Sequence, residues 1–333
     1  MASTLKASPN GKAQKNESEI LVSCSVIIPT KDRPRLLRTA VDSALKALPA
    51  DGELLVVDDG RNLSAQNALT GINVCARRLR ICQNERFPGC SGARNHGASV
   101  SKGKLLFFLD DDDVLHPDYI AAILHLVDEI PELEYGFCKV KVSDTGIAQF
   151  NLRKSNCQQK KLLGDKISKL APKNRVFGLG QGFWIRSEVW KKMGGLDEDF
   201  VIGEDYDLAV RLLANRHVGW FCREPMVIVR QHHPSSDLNN ITNRTSRISH
   251  ISCWKKIYQK NQEFFQNERG LRIWLFSRIA KHRGIERDFS ILKDIPSHSG
   301  KLYLLLKWFY YFTCATINRL KNLVSDFFKQ QVP

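Results

Sequence analysis

The sequence predicts an α/β fold, a mostly parallel sheet flanked by helices, with a helical C-terminal appendage. Three observations carry this. Leu105-Leu106-Phe107-Phe108-Leu109 is apolar without alternation, which is the habit of a strand covered on both faces. Cys24 to Thr30 and Glu53 to Asp58 have the same character and are separated by helix-patterned sequence, as a βαβ series requires. From Ser249 onward, segments such as Ile251 to Tyr258 read as amphipathic helices with basic outer faces.

Composition sets the frame. A chain of 333 residues, 43% of them hydrophobic, is long enough to bury a large core. It divides into a polar leader (1–20) without an apolar core of signal-peptide length, an α/β domain (21–240) and a basic helical tail (241–333). The formal charge is +15, and from Ile251 to the end 15 Lys and Arg stand against 6 Asp and Glu. Nine of the fifteen excess charges therefore lie in the last quarter of the chain, and the tail is expected to have a surface of its own to meet. Nine cysteines, an odd number without a CxxC pair, argue against a disulfide framework or a zinc finger and for a cytoplasmic setting.

Taken in order, the first strand ends at Pro29-Thr30, and Lys31-Asp32-Arg33-Pro34 opens a helix to about Leu48, with Pro34 suited to its first turn. This strand end offers a hydroxyl and basic groups that could receive a nucleotide, and a capped helix start would look the same. The second strand ends in Asp58-Asp59-Gly60, which places a second acidic pair on the same sheet edge. A short helix near Ala65 to Leu69 and a strand about Leu79 to Cys82 follow. Pro88 to Gly97 is a glycine-punctuated loop running into a helix, where Arg94 could face a phosphate or base.

Next come the strand Leu105 to Leu109 and four consecutive carboxylates, Asp110 to Asp113. Adjacent carboxylates repel unless a cation or hydrogen-bond donors lie between them, and a hard divalent ion is the natural occupant. Glu134 to Val142 reads as another strand, Asn151 to Asn174 as a polar, mobile stretch beside the site. Phe177 to Ile185 leads into a short helix from Ser187. Glu204 and Asp205 precede helix-spaced apolar residues at 208, 209, 212 and 213, so they fall in a first turn that favours acids; capping and chemistry are both open there. A strand over Pro225 to Val229 and the pair His232-His233 close the domain.

VSCSVIIPTKDRPRLL, LLVVDDG, PGCSGARNHG and KLLFFLDDDDVLHPDYI, in this order and spacing, resemble the amino-terminal half of the family 2 glycosyltransferases with the GT-A fold. The resemblance covers about Ser23 to His233. It implies a Rossmann-like sheet and an inverting, metal-dependent hexosyltransferase-type enzyme that takes its sugar from a nucleotide-diphosphate sugar. Under it, Pro29, Thr30 and Arg33 border the base, Asp58 hydrogen-bonds it, and Arg94 lies against the nucleotide. Asp110 or Asp111 meets the ribose. Asp112 holds Mn2+ or Mg2+, and His232, with His233 as substitute, completes the metal shell. Gln181 and Trp184 contact sugar in an acceptor cleft. The GlyGluAspTyrAsp string resembles the family's acidic pair, whose second carboxylate, here Asp205, takes the acceptor's proton beside Glu204.

The expected partners are a nucleotide-sugar donor and a carbohydrate or lipid-linked acceptor. Nucleic acid is not expected, because no recognition motif accompanies the positive charge and the acidic strand ends would repel phosphates unless metal were present. Leu302 to Ile317 is about 16 residues broken by Lys307, short of the roughly 20 that span a bilayer. It suits a membrane surface at the inner face, the α/β domain or a second subunit. Two rival functions remain. A non-catalytic nucleotide-sugar-binding protein would bind without turnover; a nucleotidyltransferase or aspartyl-phosphate hydrolase would need a triphosphate loop or a lone nucleophilic Asp after the first strand, and Val26 to Thr30 supplies neither.

Overall fold

The computed structural model describes residues 22–60, 65–72, 78–143, 164–167, 175, 177–230, 245–286, 288–290 and 300–330. The leader lies outside them, as do His232, His233 and most of Asn151 to Asn174. Within that last stretch the described part, Gly164–Lys166, is a strand.

The first half alternates as expected: β1 (Cys24–Thr30), α1 (Pro34–Ala47), β2 (Glu53–Asp58), α2 (Ala65–Ala68), β3 (Leu79–Gln83), α3 (Cys90–Val100) and β4 (Leu105–Phe108). Arg33 caps α1 and Pro34 stands in its first turn, where the missing N–H costs nothing. There follow β5 (Val114–Leu115), α4 (Tyr119–Glu129), β6 (Tyr135–Ser143), β7 (Gly164–Lys166), β8 (Trp184–Arg186), α5 (Ser187–Met193), α6 (Glu204–Ala214) and β9 (Gly219–Arg230). The last strand is longer than its apolar core predicts, because its amino-terminal half pairs with β6 and β7.

The described strands form one nine-stranded sheet in the order β3-β2-β1-β4-β8-β6-β9-β5, with β7 also on β9. Pairings β1–β2, β1–β4, β2–β3 and β6–β9 are parallel, and β5, β7 and β8 run against their neighbours. The sheet is thus mostly parallel, with short reversed strands in its second half. β1 has β2 on one side and β4 on the other, so connections leave it in opposite directions and a crevice opens at the carboxyl ends of β1, β2 and β4.

Both sheet faces are covered. Ile27, Leu55, Val57, Leu106 and Phe108 point into one core; Val26, Ile28, Leu54, Val56, Leu105 and Phe107 point into the other. Period-2 geometry sends successive side chains of an unbroken apolar strand to opposite faces, and each finds a core there.

The tail forms α7 (Arg247–Lys260), α8 (Gln262–Asn267), α9 (Arg269–Ile285) and α10 (Lys301–Gln330). Ile251, Trp254, Ile257, Leu271, Leu275, Leu304 and Trp308 belong to the same core as Ile27 and Phe108. Lys260 also reaches the buried Asp207 of α6 at 2.9 Å. α10 is longer than the apolar run inside it and turns Leu304 and Trp308 inward, while Leu302, Leu306, Phe309 and Tyr310 are exposed. No helix among the described residues is long and apolar enough to cross a membrane.

Gly92 shows how tightly the glycine loop is wound. A Cβ there would lie 1.7 Å from the carbonyl oxygen of Phe87, a backbone atom that cannot rotate away. We expect Gly92→Ala to destabilise the chain by more than ~3 kcal/mol, above the usual cost of overpacking, as read from urea denaturation. A wild-type midpoint would show that the loop shifts freely.

Candidate active site

The crevice is built from loops whose geometry follows from the strands behind them. β1 and β4 pair so that Ile27 stands beside Phe108, and Leu109 N–H donates to Ile27 O at 3.1 Å. The next residues of both strands therefore emerge side by side. Thr30 Oγ1 donates to Asp111 Oδ2 at 2.7 Å, and Arg33 Nη1 donates to Asp111 Oδ1 at 3.2 Å and to Asp112 Oδ2 at 2.9 Å. Pro29 is buried in the strand itself.

The four aspartates separate by direction. Asp113 N–H donates to Asp110 O at 3.2 Å, closing a turn that brings the first and last together. Asp111 turns back toward Thr30 and Arg33. Asp110, Asp112 and Asp113 gather carboxylate oxygens within 4.8 Å of one another. Burial, then Asp110 and Asp112, push the Asp113 carboxyl up to about 9; burial, then Asp112, push Asp111 up to about 6. An all-oxygen trio crowded in this way is matched by a hard divalent cation. Asp110 and Asp113 are the members of this trio that sequence reasoning left out of its metal set, and nothing within a run of four identical residues marks them.

Arg94, on α3, joins this trio to the second acidic motif. Its Nη2 donates to Asp110 Oδ1 at 2.6 Å and its Nη1 to Glu204 Oε1 at 3.2 Å. Burial alone would lower the guanidinium pKa, but Asp110, Cys90 and Glu204 reverse the effect and hold the charge in place. Asn95 beside it donates to Leu196 O at 2.9 Å and to Glu198 Oε1 at 2.7 Å, fixing the segment that leads to α6. Gly203 caps α6 with φ +80°, and Glu204 and Asp205 occupy the first turn. Asp205 Oδ1 accepts from Tyr206 N–H at 2.7 Å. Burial, then Glu204, push its carboxyl up to about 8.

A glycine loop leading into β8 covers these groups. A Cβ on Gly180 would lie 3.0 Å from Asp110 Oδ2 and 3.4 Å from Asp113 Oδ2, and one on Gly178 would lie 3.3 Å from Asp205 Oδ2. On one side of this loop a cavity of about 320 Å3 is lined by Asp110, Asp112, Asp113, Gln181 and Arg230. On the other a cavity of about 940 Å3 holds Arg94, Asp110, Glu204 and Asp205.

Two expected contacts need correction. Trp184 is 0% exposed: it lies in β8 with its indole against Gly136, where a Cβ would come within 2.6 Å of the ring nitrogen. A side chain without open surface offers no platform to a sugar. Gln181, three residues earlier, does line the smaller cavity, and its Oε1 accepts from Gly178 N–H at 3.3 Å. Asp58 is turned into its own loop, each oxygen accepting a backbone N–H, from Gly60 and Ala65, at 2.8 Å. It shapes the loop rather than reaching freely out of it, whereas Asp59 points across to Asn84 at 2.7 Å. His232 lies outside the described residues; β9 brings the chain to the smaller cavity at Arg230.

Side chains of the tail that sequence reasoning did not place at the site, among them Trp254, Arg278, Lys281 and His282, line the larger cavity with Asp205. The signal available was only a basic helical face, with no indication of what it packs against.

Known proteins share this architecture. The TarS 1–349 structure from S. aureus in complex with UDP-GlcNAc superposes with a TM-score of 0.61 over 90% of this chain and 92% of that one, at 15% identity. An uncharacterised glycosyltransferase of Haemophilus influenzae is 24% identical over 73% of this chain and 79% of its own length. A GalNAc(5)-diNAcBac-PP-undecaprenol beta-1,3-glucosyltransferase of Campylobacter jejuni is 27% identical over 35% of this chain and 38% of its own. The sequence profile of Glycosyl transferase family 2 matches residues 25–194, from β1 through the acidic turn and the glycine loop to α5, and the chain belongs to that family.

Proposed function

We propose that this glycosyltransferase moves a sugar from a nucleotide-diphosphate sugar, a uridine diphosphate sugar above all, to an acceptor hydroxyl with inversion at the anomeric carbon. The observation that carries the reading is the Arg94 fork, which holds Asp110 of the metal-suited trio and Glu204 of the base pair in one cavity. Displacement needs a negative leaving group steadied on one side of the sugar and a proton acceptor on the other. TarS bound to UDP-GlcNAc and the Campylobacter glucosyltransferase support the same chemistry.

In this reading Pro29, Thr30, Arg33 and the loop braced by Asp58 border the base and ribose. Asp110, Asp112 and Asp113 would hold Mn2+ or Mg2+, with His232 as a further ligand; when bound, such an ion neutralises charge on the departing diphosphate. Asp205 accepts the acceptor's proton as the hydroxyl oxygen bonds to the anomeric carbon and the bond from that carbon to the diphosphate oxygen breaks. Glu204 keeps Arg94 in place and, as a neighbouring charge, raises the basicity of Asp205. The product class is a glycan, polysaccharide or glycolipid.

A panel of nucleotide sugars tested by thermal shift with and without Mn2+ checks donor binding. A ligand at a hundred times its dissociation constant should add about 2.7 kcal/mol to stability, and the gain should vanish in EDTA. Release of free nucleoside diphosphate on adding an acceptor then separates an enzyme from a binding protein. Binding with no release across the acceptors tried would favour the non-catalytic alternative.

A further inference from the structure

The larger cavity has two kinds of cation. On the nucleotide side Arg94 is neutralised within the protein by Asp110 and Glu204, as Arg33 outside the cavity is by Asp111 and Asp112. On the far side Arg278 and Lys281 enter from α9 beside the imidazole of His282, and among the described residues no carboxylate lies within ion-pair distance of either cation. We propose that Arg278, Lys281 and His282 form an anion subsite beyond the catalytic base, and that the acceptor of this transferase carries a phosphate group that docks there. The acceptor half of this statement rests on the function proposed above; the subsite itself does not.

The cluster is held ready for a ligand. Arg278 lies over the rings of Trp254 and Trp274, 5.7 and 5.3 Å from their centroids, and Tyr206, the residue after Asp205, packs on the same two rings with centroids 4.8 and 6.1 Å apart. The guanidinium therefore shares its aromatic bed with the residue that follows the base. His282 stacks on His250 with ring centroids 4.7 Å apart, and its Nδ1 is buried without a hydrogen-bond partner among the described residues. Lys281 lies 5.7 Å from the ring centroid of Tyr311, and Lys307 of α10 belongs to the same field.

Burial and the neighbouring cations weaken the charge of Lys281 and His282. Burial, then Arg278 and Lys307, lower the Lys281 pKa; burial, then His250 and Lys281, lower His282 to about 4. Two cations, Arg278 and Lys281, gathered without counter-charge beside a neutral imidazole mirror the aspartate trio, and a multiply charged anion relieves them as a cation relieves the trio. Phosphate, with its several acceptor oxygens, suits an Arg and a Lys converging on one cavity. A water-soluble sugar phosphate and a lipid-borne phosphate share this chemistry. The exposed Leu302, Leu306, Phe309 and Tyr310 of α10 stand on the same helix as Lys307.

The test is calorimetric titration of inorganic pyrophosphate into the full chain in EDTA, where the nucleotide-side cations remain paired with their own aspartates. The wild type should bind, and Lys281→Gln should bind roughly fivefold more weakly, the loss expected for one partly solvated charge. UDP affinity measured with Mn2+ should stay within about twofold in the same variant. Arg278→Gln, at the other cation lining the cavity, repeats the comparison if Lys281→Gln fails to fold. Equal pyrophosphate affinity in wild type and variants overturns the subsite, and parallel loss of UDP affinity moves it to the donor and overturns the acceptor assignment. Pyrophosphate binding without any UDP binding would sink the transferase reading and leave the subsite standing. A second titration, into phosphatidylcholine vesicles with and without phosphatidic acid, distinguishes the sources: attachment that needs both the acidic lipid and Lys281 identifies a lipid phosphate, and pyrophosphate binding alone a soluble one.

Discussion

Asp205→Asn is expected to lower sugar transfer by roughly 10²- to 10⁴-fold while UDP affinity with Mn2+ stays within about twofold, because a positioned base acts on the transition state and not on the donor. The pH dependence makes the test sharper. Burial and Glu204 raise the Asp205 carboxyl from 3.8 to about 8, and a base works only when ionised. The wild-type kcat/KM should climb with pH toward a limb near 8, and the residual activity of the variant should lack that limb.

Stability gives an independent sign. A carboxyl whose pKa is raised on folding contributes stability that is fully present below its unfolded pKa and lost as pH rises through the folded one. For Asp205 that window runs from about 4 to about 8, so Asp205→Asn should gain on the wild type in thermal midpoint across it. Full turnover by the variant would remove this carboxylate from the mechanism.

Asp113→Asn should change sign with the metal. In EDTA at neutral pH the substitution removes a buried carboxyl pushed from 3.8 to about 9 by burial, Asp110 and Asp112. An Asn Oδ1 still accepts the Arg230 N–H, 3.3 Å away in the wild type. The metal-free variant should therefore be more stable by ~1 kcal/mol, roughly 2 °C in a chain of this size. By the same linkage the gap opens between pH of about 4 and about 9, the range over which the wild type loses the stability its protonated form had. With Mn2+ the order reverses: loss of one of three oxygen donors should weaken metal-dependent UDP binding by roughly 100-fold or more. Paired thermal melts and titrations at fixed UDP read both effects. A variant that melts lower in EDTA, or that keeps wild-type UDP affinity with Mn2+, shows that Asp113 is not part of a cation site.

The local pattern carries far in this protein. Unbroken apolar runs at 26–29, 54–57 and 105–108 specify strands covered on both faces, and their polar ends must then fall on one sheet edge. Glu204 and Asp205 read as a first helical turn because apolar spacing begins four residues later. The tail reads as helices, yet nothing in its basic faces tells that Trp254 and Leu304 join the core beneath the sheet while Arg278 and Lys281 enter the cavity beside the base. Trp184 misleads for the same reason, since an aromatic after a glycine loop looks alike whether it faces a ligand or a core.

Strand identity, the acidic strand ends and the motif order were thus determined by the sequence alone, because they depend on neighbours within a few positions. Tertiary structure alone decided which of four aspartates face one another, that Arg94 spans partners 16 and 110 residues away, and that a distant helix pair completes the cavity. Those choices follow from strand register and helix packing, which place side chains together through contacts that no local periodicity encodes.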